Sequence, residues 1–187
     1  MTGLERLREV ALEQHGFVTT AQAGDVDVSR ASLRMMVRRG RLEQVSRGVY
    51  RVPQVPVTTH DSFMKAVLWP GFSETCLSHE SALDAWEISD INPDRIHITV
   101  AVKRRITRGV PSGYVVHHED LRQDQVTWWE GIPTVTAGTA IRQCLASGVP
   151  TYLVRQALER SARIGLVLAS EREELTRLME ARYVSES

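Results

Sequence analysis

Between residues 28 and 51 the chain carries seven arginines, Arg30, Arg34, Arg38, Arg39, Arg41, Arg47 and Arg51, against one acid, Glu43. Within that stretch Leu33, Met36 and Val37 fall at i, i+3 and i+4, while Arg30, Arg34 and Arg38 recur every four residues. On a helix these two sets line different faces. One side packs and the other presents three guanidinium groups. A merely solvated face interleaves charges of both signs, so this bias points to an anionic partner, most simply a phosphate backbone.

The flanking residues frame that helix. Thr2 can cap a first helix, Gly3 to His15, in which Leu4, Leu7, Val10 and Ala11 recur at helical spacing before Gly16 stops it. Thr19 or Thr20 can cap a short second helix through Ala23, ended by Gly24, and Ser29 opens the third, which runs to Arg39 and closes at Gly40. Residues 42–46 and 48–52 then alternate as two short strands around a tight turn at Ser46-Arg47-Gly48. Helix, short helix, basic helix and basic hairpin is the order of a winged helix-turn-helix. In such a module the major groove admits the third helix, whose N-terminal side chains reach base edges. Ser29, Arg30, Ser32 and Arg34 are the candidates for groove contacts. Arg38, Arg47 and Arg51 are the candidates for phosphate contacts, with Arg47 at the wing tip.

The whole chain is not polycationic: 23 basic residues meet 23 acidic ones over 187 positions. The charge is segregated, because residues 1–57 hold nine arginines against six acids and residues 58–150 hold eight basic residues against eleven acids. Hydrophobic content of 42% excludes general disorder and supports real cores. Cys76 and Cys144 stand far apart, without paired zinc spacing or a disulfide framework, which fits reduced thiols. Charged residues interrupt the N-terminal 16 positions, unlike a secretory signal, and no apolar run approaches the roughly 20 residues of a membrane helix. A cytoplasmic protein is expected.

The predicted organisation is α+β: a winged helix-turn-helix over residues 1–53, a proline-containing linker at 54–58, and a mixed α/β domain with terminal helices over 59–187. In the latter, 60–69 and a segment capped by Ser78 read as helices. Ile96, Ile98, Val100 and Val102 alternate with polar or small residues as a strand, and 114–117 and 132–136 supply two more. Helical character resumes at 139–145 and over 151–164, and Ser170 with Glu173 forms a capping box for a last helix.

The runs Gly16-Phe17-Val18-Thr19-Thr20-Ala21-Gln22-Ala23, Val28-Ser29-Arg30-Ala31-Ser32-Leu33, Arg39-Gly40-Arg41-Leu42 and Arg47-Gly48-Val49-Tyr50-Arg51-Val52-Pro53 resemble the N-terminal domain of AbiEi-type antitoxins. Leu77-Ser78-His79-Glu80-Ser81-Ala82-Leu83, the strand Arg95 to Val100, Val115-Val116-His117-His118 and Gly131 to Thr136 are similar to that family's C-terminal antitoxin domain. Together these segments cover most of residues 16–145. The resemblance implies an antitoxin of a type IV toxin–antitoxin pair. Its partner would be a nucleotidyltransferase-like toxin, neutralised through the second domain. The winged helix would bind double-stranded promoter DNA and repress the operon, as a monomer or weak dimer assembling on repeated sites. Two departures stand out. Members often carry an acidic residue where this chain has Gln143, and longer relatives append a nuclease-like domain absent from these residues.

No catalytic constellation emerges, so no enzyme activity, metal or cofactor is expected. A zinc-protease motif beginning at His79-Glu80 would need a second histidine where Leu83 stands. His117-His118-Glu119-Asp120 offers ligand types in a row, but neighbouring strand residues point to opposite faces and the pair cannot share one metal; a solvent-exposed strand end is expected there. Lys103, Arg104, Arg105 and Arg108 form a second basic loop, read as a secondary contact to DNA or to an acidic surface of the toxin, or else as a solvated hairpin tip. Trp128-Trp129 is expected to bury one ring and part-expose the other as an interface anchor. Two rival functions remain at this level. One is a ligand-responsive transcriptional regulator without a toxin; the other is a nuclease using scattered carboxylates such as Glu80 and Asp84.

Overall fold

Thr2 opens the first helix, α1 (Gly3–Leu12), with a capping box: its hydroxyl accepts the Glu5 amide while the Glu5 carboxylate accepts the Thr2 amide. The structure, a computed structural model, describes residues 1–186. Helix α1 stops three residues before the expected His15, because His15 (φ 52°) and Gly16 (φ 89°) both take left-handed conformations. A strand not expected from the sequence, β1 (Phe17–Thr19), follows. Thr19 then caps α2 (Thr20–Asp25) through a second capping box with Gln22. Ser29 caps α3 (Arg30–Arg38), accepting the Ser32 amide at 3.1 Å. The strands β2 (Glu43–Ser46) and β3 (Val49–Arg51) complete an antiparallel sheet in the order β1-β3-β2. This is the winged helix-turn-helix. Its core gathers Leu7, Ala11, Val18, Ala23, Leu33, Leu42, Tyr50 and Val52.

Arg51, at the end of β3, turns inward and is 8% exposed. Its guanidinium donates to the carbonyls of Val52 (3.3 Å) and Val55 (3.1 Å), pairs with Asp61 Oδ2 at 3.3 Å, and lies over the Phe17 ring. Asp61 begins α4 (Asp61–Leu68), and its other oxygen accepts the amide and hydroxyl of Thr58. The segment 54–58 is thereby fastened to the first unit. That unit comprises Met1–Thr75 with Glu130–Ile132, and a second unit holds Cys76–Trp129 and the residues from Pro133 onward.

The second unit contains β4 (Cys76–Leu77), α5 (His79–Ala85), β5 (Ile96–Val100), β6 (Tyr114–His118), a 3₁₀ turn at Gln123–Gln125, β7 (Val126–Trp129), β8 (Ile132–Val135), α6 (Ala137–Ala146), α7 (Thr151–Arg163) and α8 (Ala169–Glu186). The strands form one sheet in the order β6-β5-β4-β8-β7. β4 pairs antiparallel with β5 and parallel with β8, whereas β5 and β6 run parallel. Leu83, Ile88, Ile141, Cys144, Val154, Leu158 and Leu175 build the second core around α5, α6, α7 and α8. Three sequence expectations change here. Trp128-Trp129 lies in a strand rather than a turn, with Trp128 69% exposed and Trp129 half-buried. Helix α8 starts at Ala169, so Ser170 sits inside its first turn and is not the cap. The basic loop after β5 cannot be a hairpin tip, because the strands it joins are parallel.

Removing one partner of a buried ion pair leaves the other charge uncompensated. Asp61→Ala is therefore expected to lower unfolding free energy by roughly 3 kcal/mol, read from urea denaturation.

Candidate nucleic-acid interface

Leu33 on α3 is completely buried, and Met36 and Val37 are half-buried on the same side. The helical period then turns Arg30, Arg34 and Arg38 outward, and all three are exposed. Ser29 is exposed at the start of the helix, and its hydroxyl meets that of Ser32 at 3.0 Å. These two hydroxyls and the first amides of α3 form a polar, electropositive helix start. Arg47 is exposed at the wing turn between β2 and β3, which Gly48 (φ 79°) permits. Arg39 and Arg41, exposed just beyond α3, extend the basic surface and were not singled out as contacts from sequence. Arg51 is not part of it. Its charge is spent on Asp61 and on backbone carbonyls, so it is not the phosphate contact expected from the sequence.

Residues 5–53 match the family described as "Transcriptional regulator, AbiEi antitoxin". The matched segment spans the winged helix and its arginine face. The crystal structure of the RV2827C protein from Mycobacterium tuberculosis resembles the chain with a TM-score of 0.44 and 16% sequence identity, over 95% of this chain and 82% of that one. No curated protein matches. No helix among the described residues is long and apolar enough to cross a membrane.

Outside the matched segment, the basic loop leaves Lys103 and Arg105 exposed, while Arg104 and Arg108 are half-buried. A different cluster, missed by sequence reasoning, lies on one face of the second sheet. His97 and His117 project from the same face of the parallel pair β5 and β6, in which Thr99 is the register partner of His117. His97 Nδ1 lies 3.1 Å from His117 Nε2, and His97 Nε2 lies 3.3 Å from Glu80 Oε2. The His79 ring stacks on that of His117 with centroids 3.5 Å apart and planes 12° from parallel. His118, its neighbour in sequence, faces the other way and is exposed, as alternation requires. His117 is half-buried and therefore not the solvated strand end expected from sequence. The detectable signal was parity: two strand histidines an even number of positions from a shared register pair. It needed the β5–β6 pairing, which no single segment reveals.

Burial holds these imidazoles neutral. His79 falls to about 3 through burial and then through the neighbouring His117 and His97, and His117 falls to about 4 through burial and the adjacent His97 and His118. His97 is lowered by burial and by Arg95, against an upward pull from Glu80. Burial, reinforced by Glu119, pushes the Cys76 thiol up to about 12, which makes it inert as a nucleophile. Gln143 closes the cluster: its Oε1 accepts the His79 amide at 3.1 Å and its Nε2 donates to Glu119 Oε2 at 2.6 Å. An ionised acid at position 143 would face Glu119 with a second negative charge, so the glutamine suits this arrangement. The Thr99 hydroxyl is buried without a partner among the described residues, a loss of about 1–3 kcal/mol for an ordinary buried polar group.

Exposed and buried arginines are expected to separate in a stability assay. Single alanine substitutions at Arg30, Arg34, Arg38 or Arg47 should leave the unfolding free energy within about 0.5 kcal/mol of the parent. Arg51→Ala should shift the urea midpoint strongly, because it strands Asp61.

Proposed function

We propose that the protein is a DNA-binding antitoxin that represses its own promoter and neutralises a nucleotidyltransferase-like toxin. Residues 1–53 act as the DNA reader, and the residues from 59 onward, after the 54–58 connection, supply neutralisation. The observation that carries this reading is the exposed row of Arg30, Arg34 and Arg38 beside the fully buried Leu33. A helix anchored on one side and cationic on the other has the shape and charge that a major groove accepts. Ser29, Arg30, Ser32 and Arg34 meet the groove, whereas Arg38 and Arg47 hold phosphates. The match of residues 5–53 to an antitoxin regulator family supports the same assignment. Lys103, Arg104, Arg105 and Arg108 offer a secondary basic contact. The protein works in the cytoplasm as a monomer or weak dimer, which gathers on repeated promoter sites.

A gel-shift titration on the gene's own promoter tests the first half. The triple variant Arg30→Ala, Arg34→Ala, Arg38→Ala should lose the shift while keeping its helical circular dichroism. Partial variants should reduce the salt dependence of binding by about one unit per phosphate contact removed. Unchanged affinity in the triple variant would defeat the groove assignment. Whether the adjoining gene encodes a nucleotidyltransferase whose toxicity this chain relieves on co-expression tests the second half: growth should be rescued by the parent chain, and failure of rescue removes the antitoxin role.

A further inference from the structure

Glu80, His97 and His117 form a hydrogen-bonded chain with a fixed direction. An ionised carboxylate only accepts, so His97 donates Nε2–H to Glu80, and a neutral His97 is left with a lone pair at Nδ1. His117 Nε2, at 3.1 Å, can bond to that lone pair only by carrying its proton there. Two ring nitrogens therefore face one another across a gap that holds a single proton. The same gap suits one metal ion: with bonds of about 2.05 Å, typical of zinc and imidazole, nitrogens at this spacing subtend roughly 100°. A ligating histidine whose other nitrogen donates to a carboxylate is the usual outer-shell pattern of metal sites, and Glu80 occupies that place.

We infer that His97 Nδ1 and His117 Nε2 bind a divalent cation of the zinc class, with Glu80 as the positioning residue. On binding, the His117 proton resides on Nδ1 instead of Nε2. Among the described residues no three His, Cys, Asp or Glu side chains converge on one point. The protein supplies two donors, and water or a small anion completes the coordination, which sets this apart from a closed structural zinc site. Two independent features support a built site. His79 adopts a left-handed backbone (φ 51°), a rare conformation for a non-glycine residue, at the junction of β4 and α5, and from there its ring stacks on His117. The buried Thr99 hydroxyl, across the strand register from His117 and without a partner among the described residues, is available to a metal-bound water. The site lies in the second unit and stands whether or not the arginine face binds DNA.

The test is calorimetric titration of the untagged full chain with zinc sulfate, together with the visible spectrum of the cobalt(II) form. One equivalent of zinc should bind, and cobalt(II) should develop bands of reduced coordination number. His97→Ala and His117→Ala should abolish both signals. Glu80→Gln should weaken zinc binding about 10–100-fold with unchanged far-ultraviolet circular dichroism. His118→Ala, on the opposite sheet face, should bind as the parent does. Should either alanine variant fail to fold, His117→Gln and Glu80→Gln decide in its place. Absence of stoichiometric binding, or binding indifferent to His97, His117 and Glu80, overturns the site; the latter would place the metal elsewhere.

Discussion

Burial of Leu33 is the constraint on which the functional geometry of the first unit rests. With that side chain locked in the core, the 3.6-residue period leaves α3 no freedom to rotate. Ser29 fixes where the helix begins, and Gly40 (φ 66°) lets the chain turn away after it. The direction in which Arg30, Arg34 and Arg38 project is therefore decided by an apolar contact on the far side of the helix. Substitutions can alter the arginines without touching the core, while a change at Leu33 would re-aim all of them together.

Arg51 shows how the same residue type can serve an opposite purpose nearby. Six of the seven arginines in the basic stretch are exposed, and the seventh is enclosed by carbonyls and a carboxylate. A guanidinium carries five donors and cannot shed its charge, so its burial is tolerable only with several acceptors in place. Val52, Val55 and Asp61 provide them, and the segment after the wing is held to the sheet as a result. The family match ends at residue 53, yet the compact unit continues to Thr75, and the Arg51–Asp61 pair spans that boundary.

Helices α1 and α3 were readable in the sequence because each opens on a capping hydroxyl, carries an apolar stripe and is followed by a glycine; α2 was read two residues short, because Gly24 lies inside it and does not end it. β1 was not, since three residues, Phe17 to Thr19, are too few for alternation to show. β4 is shorter still: Cys76 and Leu77 occupy the centre of the second sheet and are completely buried, so no polar face marks them as a strand. The arginine face followed from local periodicity, whereas the inward turn of Arg51 depended on Asp61, ten positions away. The histidine cluster was hidden for the same reason on a larger scale. His79, His97 and His117 are brought together by the pairing of β5 with β6 and by the backbone turn at His79, neither of which leaves a pattern in consecutive residues.

The parallel pairing of β5 and β6 has an evolutionary corollary for the segment between them. Residues 101–113 must return the chain along a five-residue strand, a distance of about 16 Å, yet thirteen residues can extend to roughly 40 Å. Such slack means that the strand register does not dictate the sequence or even the length of this strap. Lys103, Arg105 and their neighbours can be lengthened, neutralised or reversed in charge among descendants while the sheet stays as it is, making the strap a natural place for partner preference to diverge.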